Sequence, residues 1–268
     1  MAREVHMAEK LAKFPVMELF GPTIQGEGLL TGTVSHFLRF GGCGLRCTWC
    51  DSMYAVLPEE IKRYRTIMTS HEILEAVAAL PRAPYITLTG GDPCIHKQMG
   101  DILPALNSLE MWVAIETQGQ LFPDWLVQVD VVTFSPKPPS SGNVVDIEDM
   151  RRWLQARSRS PWPGRTCIKV VVATNEDMEY ALDVYRRIPS HYYEAFYFTA
   201  QTPLTFLDTD AGATYASPEM KLQGVLEQQR RLAGEILTRA CQGTNFNSKV
   251  HIGCQGHVLL WPEHDKGV

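Results

Sequence analysis

No apolar run in this chain reaches the roughly 18 residues that a membrane-spanning helix requires, so a protein of that kind is not expected. The opening residues, Met1-Ala2-Arg3-Glu4-Val5-His6, hold no apolar stretch of the sort found in signal peptides, and the expected address is the cytoplasm. A basic excess is also missing: 25 Lys and Arg face 30 Asp and Glu, for a net charge of −5. That balance argues against a generic nucleic-acid coat, and nucleic acid is not expected among the partners. Repeats and low-complexity tracts are absent too. With 45% hydrophobic and 21% charged residues, the composition is that of a folded protein. At 268 residues the chain can bury a core without disulfide staples.

What the chain does have is seven cysteines, an odd number. Three of them crowd into Gly41-Gly42-Cys43-Gly44-Leu45-Arg46-Cys47-Thr48-Trp49-Cys50, while Cys94, Cys167, Cys241 and Cys254 are scattered. Thiols packed this closely in a reducing compartment repel as thiolates or oxidise unless something binds them, so Cys43, Cys47 and Cys50 are candidate ligands. A closed zinc site normally takes four protein ligands as two separated pairs. The second pair is missing, and no spacing singles out His36 or a lone cysteine to complete one. The other reading is an iron–sulfur cluster with one iron left free of protein thiolate, open to a small molecule. The four scattered cysteines read as small buried hydrophobes.

Periodicity supplies the frame. Apolar runs predict strands at 34–40, 85–89, 112–116, 129–134, 167–173 and 196–200, and helical patterns fall between several of them at 70–80, 98–109, 146–157, 175–188 and 218–240. Thr69-Ser70-His71-Glu72 is a capping-box pattern, and Pro104 argues against one straight helix over 98–109. Strands alternating with helices imply a parallel sheet. About six strands suit an incomplete TIM-type barrel better than a closed eight-stranded one. The proline- and serine-rich breaks at 136–143 and 158–164 do not separate two cores, so one domain over 1–268 is expected, with small terminal extensions. Glu116 ends an apolar strand, where a buried acid needs a partner. The arginine pairs at 151–152 and 230–231 read as solvated helix faces.

Cys-x3-Cys-x2-Cys after a strand, with Trp49 before its last cysteine, resembles the radical S-adenosylmethionine (SAM) enzymes, whose cluster iron chelates the methionine part of SAM. Thr89-Gly90-Gly91-Asp92-Pro93 resembles that superfamily's Gly-Gly-Glu-Pro segment, which receives the methionine amino group, with Asp92 standing where Glu is usual. A narrower resemblance, to the 7-carboxy-7-deazaguanine synthase family, rests on Gln25-Gly26-Glu27-Gly28, Phe37-Leu38-Arg39-Phe40, Cys50-Asp51-Ser52, Glu116-Thr117-Gln118-Gly119, Ser135-Pro136-Lys137, Gln201-Thr202-Pro203-Leu204 and Gln255-Gly256-His257, in the family's order.

The resemblance implies a radical SAM core binding a [4Fe–4S] cluster through Cys43, Cys47 and Cys50. It implies Mg2+ on Ser52, which replaces the family's threonine but keeps its hydroxyl. Substrate contacts would come from Gln25, Gly26, Glu27, Arg39 and Thr89. SAM contacts would come from Trp49, Cys50, Asp51, Gly91, Asp92, Glu116, Thr117, Ser135, Pro136, Lys137, Gln201, Thr202, Pro203 and Leu204. The implied reaction turns 6-carboxy-5,6,7,8-tetrahydropterin into 7-carboxy-7-deazaguanine with loss of ammonia, the radical coming from SAM rather than from a protein side chain. A flavodoxin-like electron donor and a homodimer go with the same resemblance. A glycyl-radical activating enzyme and a non-enzymatic zinc module are the alternatives. Gln25-Gly26-Glu27 speaks against the first, and the colour of anaerobically purified protein separates the second. Replacing Cys43, Cys47 or Cys50 by Ala is expected to abolish iron binding, whereas Cys94→Ala is expected to leave it intact, as iron and sulfide analysis will check.

Overall fold

The computed structural model describes residues 12–143, 145–162, 164–202 and 217–263. Nine strands form one sheet: β1 (Lys13–Ile24), β2 (Val34–Phe40), β3 (Thr66–Thr69), β4 (Tyr85–Gly90), β5 (Trp112–Thr117), β6 (Val131–Phe134), β7 (Arg165–Val172), β8 (Ala195–Ala200) and β9 (Val250–Gly253). Their order is β3-β1-β2-β4-β5-β6-β7-β8-β9. From β2 to β9 every neighbouring pair is parallel, whereas β1 runs antiparallel to both β2 and β3. The edge strands β3 and β9 do not pair, so the sheet stays open, as a partial barrel does. The helices are α1 (Pro58–Tyr64), α2 (Ser70–Ala78), α3 (Leu103–Ser108), α4 (Glu148–Arg157), α5 (Asn175–Arg187), α6 (Pro218–Cys241) and α7 (Gly256–Leu260).

Alternation along the strands divides the sheet into two faces of different chemistry. Leu38, Leu88, Ile115, Phe134, Val170 and Phe198 all point to one face, where they join a single core with Ile73 of α2, Leu106 of α3, Leu154 of α4 and Leu182 of α5. The residues between them point the other way, and many are polar. Ser35 Oγ meets Thr87 Oγ1 at 3.0 Å, and Thr133 Oγ1 meets Cys167 Sγ at 3.3 Å. A short turn at Gly28–Leu30, between β1 and β2, lies against this second face. Gly28 there has φ +65, and a Cβ on it would stand 3.2 Å from Thr133 Oγ1.

Six parallel strands were expected and seven are found, the seventh being β9. The cysteine loop follows β2, the first of the parallel strands. Three strands escape a periodicity reading for physical reasons. β1 carries Pro15 and Gly21-Pro22, residues that usually argue against a strand, and the register shift between Phe20 and Thr23 takes the latter pair out of the ladder. β3 and β9 are four residues each, too short to show a period. Pro104 breaks the expected helix over 98–109 into a 3-10 turn at Lys97–Asp101 and α3, where it occupies the first turn. The capping box holds: Thr69 Oγ1 accepts the Glu72 N–H, and Glu72 Oε2 accepts the Thr69 N–H at 2.7 Å. Of the four scattered cysteines, Cys94 and Cys167 are buried as expected, but Cys241 is exposed at the end of α6 and Cys254 is half-buried. Among the described residues no helix is long and apolar enough to cross a membrane.

A second capping box starts α5, where fully buried Asp177 accepts the Thr174 N–H at 3.0 Å and the Ala173 N–H at 2.9 Å. Its other oxygen accepts the Ser140 N–H at 2.9 Å, tying the 136–143 segment to the core. Asp177→Ala strands three N–H donors. Thr174 is exposed, so water can serve its N–H, while Ala173 and Ser140 are half-buried; at about 1–3 kcal/mol for each of these two, a loss of about 2–4 kcal/mol is expected in a urea titration.

Candidate active site

The C-terminal ends of the parallel strands carry the cysteine loop on one side and a buried charged group on the other. The loop leaves β2 through Gly41 and Gly42, and backbone contacts hold it to its neighbours. The Asp92 N–H donates to the Gly42 carbonyl at 2.7 Å, the Gly42 N–H to the Ala55 carbonyl at 2.7 Å, and His96 Nε2 to the Gly41 carbonyl at 3.1 Å. Burial lowers the His96 pKa, in keeping with a neutral ring that donates here. A Cβ on Gly91 would stand 2.1 Å from the Gly42 carbonyl oxygen, so only glycine permits this approach of the two loops.

Burial pushes all three loop thiols above their ordinary value, Cys50 to about 12. Donors nevertheless face their sulfurs: the Leu45 N–H points at Cys43 Sγ and the Asn143 Nδ2 amide at Cys47 Sγ, each at 3.4 Å. Lys137, whose Nζ donates to Ser135 Oγ at 3.0 Å, adds positive charge near all three cysteines. Thiols gain little from such surroundings, whereas thiolates bound to iron gain from both the N–H groups and the cation. Among the described residues no three His, Cys, Asp or Glu side chains are grouped around a single-ion site, and His36 lies elsewhere, buried near Gly21. The donor set therefore fits a cluster better than a closed zinc site.

Asp92 lies at the end of β4, 1% exposed. Its Oδ1 accepts the Cys94 N–H at 3.0 Å and the Thr117 hydroxyl at 2.9 Å, while Oδ2 is buried without a partner. Burial raises its pKa against the opposing pull of Cys94, Thr117, Gln118 and Lys137. An orphaned carboxylate oxygen is what an incoming ammonium needs, so the site fits the amino group of SAM. Trp49 is set by its indole N–H, which donates to Ser140 Oγ at 2.9 Å, and Ser135 by its N–H to the Thr117 carbonyl at 2.8 Å. The Gln201 N–H reaches the Val172 carbonyl and the Thr202 hydroxyl touches Gln255 Oε1. Pro203 and Leu204 lie outside the described residues.

Across the inner face, Gln25, Glu27, Glu116 and Lys169 form one group. Gln25 Nε2 donates to Glu116 Oε1 at 3.2 Å, and Gln25 Oε1 accepts the Glu27 N–H at 3.1 Å. Lys169 Nζ contacts Glu27 Oε2, with the two side chains 9% and 10% exposed. Burial alone would raise the Glu27 pKa, but the charges of Lys169 and His257 and the Lys169 hydrogen bond outweigh it, and the net shift is downward. Glu116 thus stands with Glu27 and Lys169 rather than with Asp92. Gly26 is capped from above by the C-terminal segment: the Gly256 N–H donates to the Gly26 carbonyl at 3.0 Å, and a Cβ on Gly26 would lie 2.6 Å from the His257 backbone nitrogen.

Arg39, paired in register with Thr89, bridges the two sides. Its Nε donates to Glu18 Oε2 at 2.8 Å, which also accepts the Tyr54 hydroxyl at 2.8 Å, and its Nη1 lies 3.5 Å from Ser52 Oγ. Ser52 in turn donates to Asp51 Oδ1 at 2.9 Å, and Gln255 Nε2 donates to Asp51 Oδ2 at 3.4 Å. Lys169, Glu18 and Asn143 were not singled out by the sequence reading. Lys169 alone left a signal there, a charge between Ile168 and Val170 on a strand whose neighbours are fully buried.

A half-barrel of parallel strands with an open three-cysteine loop at its C-terminal end defines a radical SAM enzyme core, and residues 38–130 match the model of the radical SAM superfamily. The chain is 37% identical over 181 residues to the 7-carboxy-7-deazaguanine synthase of Bacillus cereus, covering 67% of this chain and 74% of that one. It is 36% identical over 177 residues to the enzyme of the same name from Bacillus subtilis, covering 65% and 72%. The chain belongs to the 7-carboxy-7-deazaguanine synthase family. In fold it is similar to the crystal structure of QueE from Escherichia coli, at TM-score 0.62 and 19% identity, covering 91% of this chain and 95% of that one. Streptococcus suis SuiB bound to S-adenosylmethionine matches at TM-score 0.54 and 14% identity over 83% of this chain and 52% of that one. Family membership sets aside the glycyl-radical activating enzyme and the zinc module.

The buried ion pair yields a test with a definite sign. Because the Glu27 pKa is held down in the folded protein, its ionised form adds stability above its ordinary value of 4.5, and that stability is lost as pH falls through the folded value. Lys169→Met leaves the carboxylate buried without its cation, at a cost of about 3–5 kcal/mol near neutral pH. The deficit should shrink on acidification as Glu27 takes up a proton, and Lys169→Met with Glu27→Gln should recover most of it. Urea midpoints across pH measure both effects.

Proposed function

We propose that this chain converts 6-carboxy-5,6,7,8-tetrahydropterin to 7-carboxy-7-deazaguanine, contracting a ring and releasing ammonia, as in deazapurine biosynthesis of the queuosine type. The observation that carries this reading is the buried group of Gln25, Glu27, Glu116 and Lys169 at the strand ends beside the three-cysteine loop. When bound, the [4Fe–4S] cluster and SAM supply one-electron chemistry able to take a hydrogen atom from an unactivated carbon.

The remaining work falls to this chain's own residues. Cys43, Cys47 and Cys50 hold the cluster. Gly91, Asp92 and Thr117 receive the amino group of SAM, with Trp49, Asp51, Ser135, Pro136, Lys137, Gln201 and Thr202 around the rest of it and Pro203 and Leu204 following in sequence. Glu27, kept ionised by Lys169, accepts the two adjacent N–H donors of an aminopyrimidinone edge, a bidentate match that an uncharged acid cannot make. Gln25 fixes the direction of Glu27 and Glu116, Gly26 gives the ring access to backbone, and Thr89 lies beside Arg39. The Arg39 fork is anchored at Nε by Glu18 and faces Ser52 through Nη1, which leaves Nη2 to reach the substrate carboxylate. Ser52 would offer one hydroxyl ligand to Mg2+, a hard cation that prefers oxygen donors and keeps part of its hydration shell. The whole chain is read as one radical SAM domain acting in the cytoplasm, as a homodimer reduced by a flavodoxin-like donor. These last assignments rest on the family resemblance.

Anaerobic incubation of the reconstituted protein with synthetic 6-carboxytetrahydropterin, SAM and a reductant tests the reaction. Formation of 7-carboxy-7-deazaguanine supports it, and SAM cleavage without that product sinks it. Arg39→Lys replaces a fork by a point charge and should raise the KM for the carboxypterin roughly tenfold, about 1.4 kcal/mol, with the Kd for SAM nearly unchanged. Ser52→Ala should weaken the magnesium response while leaving iron content intact, and Ser52→Thr should be mild.

A further inference from the structure

The proline- and serine-rich segment that follows Lys137 reads in sequence as an ordinary break, but in the fold it is a strap across the cysteine loop. The Thr48 N–H donates to the Ser141 carbonyl at 3.0 Å, and the Thr48 hydroxyl to the Ser140 carbonyl at 2.8 Å. The Trp49 indole meets Ser140 Oγ, and the Arg46 N–H faces Asn143 Oδ1 at 3.4 Å. Asp177 anchors the strap from beneath through the Ser140 N–H. Gly142, at φ +76, turns the chain in the left-handed region, and a Cβ there would press on Thr48 Cγ2 at 3.2 Å. That turn aims Asn143 at the loop. One face of its amide nitrogen is occupied by Ser141, whose carbonyl and hydroxyl lie at 3.1 and 3.2 Å, and the remaining hydrogen faces Cys47 Sγ at 3.4 Å.

We propose that Asn143 is a positioning residue that sets the reduction potential of the cluster through an N–H···S hydrogen bond to Cys47, delivered by the 138–143 strap. The proposal rests on the reading that Cys43, Cys47 and Cys50 are the cluster ligands. Reduction adds negative charge that spreads over the ligand sulfurs, so a donor at one sulfur favours the reduced state and raises the potential. Cys47 is the buried one of the three cysteines, so water does little of the same work at this sulfur. The strap supplies the donor from a segment tied to the core rather than from the cysteine loop itself. The donor is therefore placed by the core rather than by the loop it serves.

The test is an EPR-monitored redox titration of the reconstituted chain without SAM, alongside iron and sulfide counts. Asn143→Leu keeps the volume but has no donor, Asn143→Ser is too short to span the gap, and Asn143→Gln keeps an amide. The Leu and Ser variants should titrate at a more negative midpoint. At the poise where wild type is half reduced, their reduced-to-oxidised ratio should fall about threefold to tenfold, tenfold being 59 mV for a one-electron couple. The Gln variant should lie between them and wild type. Midpoints are read on the loaded fraction. Lower iron content with an unchanged midpoint makes the strap purely structural and overturns the proposal, as does an unchanged midpoint at full loading. Retention of the cluster by Cys47→Ala fails the ligand reading itself, a result distinct from both.

Discussion

The inner face of the half-barrel contains a glutamate and a lysine that are nearly removed from water, and most of the site is arranged around keeping them paired. Glu27 arrives from the turn between β1 and β2 and Lys169 from β7, so the contact joins residues far apart in sequence. Desolvating two such charges costs several kcal/mol per ion, and mutual attraction repays this only when the remaining donors and acceptors are also satisfied. Gln25 does that on one side by donating to Glu116 and accepting the Glu27 N–H. On the proposed reading this cost is offset in function, because a charged acceptor at fixed geometry discriminates between ligands that differ by a single N–H group.

The same arrangement links two halves of the site that are otherwise separate. Cys50, Asp51 and Ser52 are consecutive, yet Cys50 belongs to the thiol loop while Ser52 faces Arg39 and Asp51 accepts from Gln255. The end of the cysteine loop is thereby one wall of the buried charged group. The C-terminal segment supplies another, since Gly256 and His257 pack directly on Gly26 with no room for a Cβ between them. A change in the loop is thus mechanically close to a change in the pocket. This is the proximity that a reaction begun at one group and completed on another molecule requires.

Much of this was legible in the sequence because the outer face of the sheet obeys simple periodicity. Six of the seven parallel strands are announced by apolar runs, and the capping box of α2 by Thr69 and Glu72. Of the three strands that escape it, two are short and the third carries Pro15 at its start and Gly21-Pro22 at a register shift. Candidate site residues were picked out only where they sit in contiguous motifs. Lys169 stands out as a charge in an apolar strand, but motif reading does not find its partner, which lies in a distant turn. Asn143 is hidden for the opposite reason: its segment is rich in turn-forming residues that look like solvated loop. Glu116 was assigned from its motif, but its neighbours in space belong to another motif altogether.

Asp92 shows how a shorter acid can stand where a longer one is usual. An aspartate loses a methylene of reach, yet this one is not free to wander. Thr117 and the Cys94 N–H hold its Oδ1, and the backbone of Gly91 is pressed against Gly42. All the adjustable freedom has been removed, leaving Oδ2 as a single fixed acceptor with no partner of its own. A half-satisfied buried carboxylate costs about 1–3 kcal/mol, which is visible here as a pKa pushed up by burial. A cation against Oδ2, as the proposed function requires, would offset that cost. A carboxylate fixed in this way gives up adaptability for preorganisation, so what the side chain lacks in length is made good by the loops that carry it.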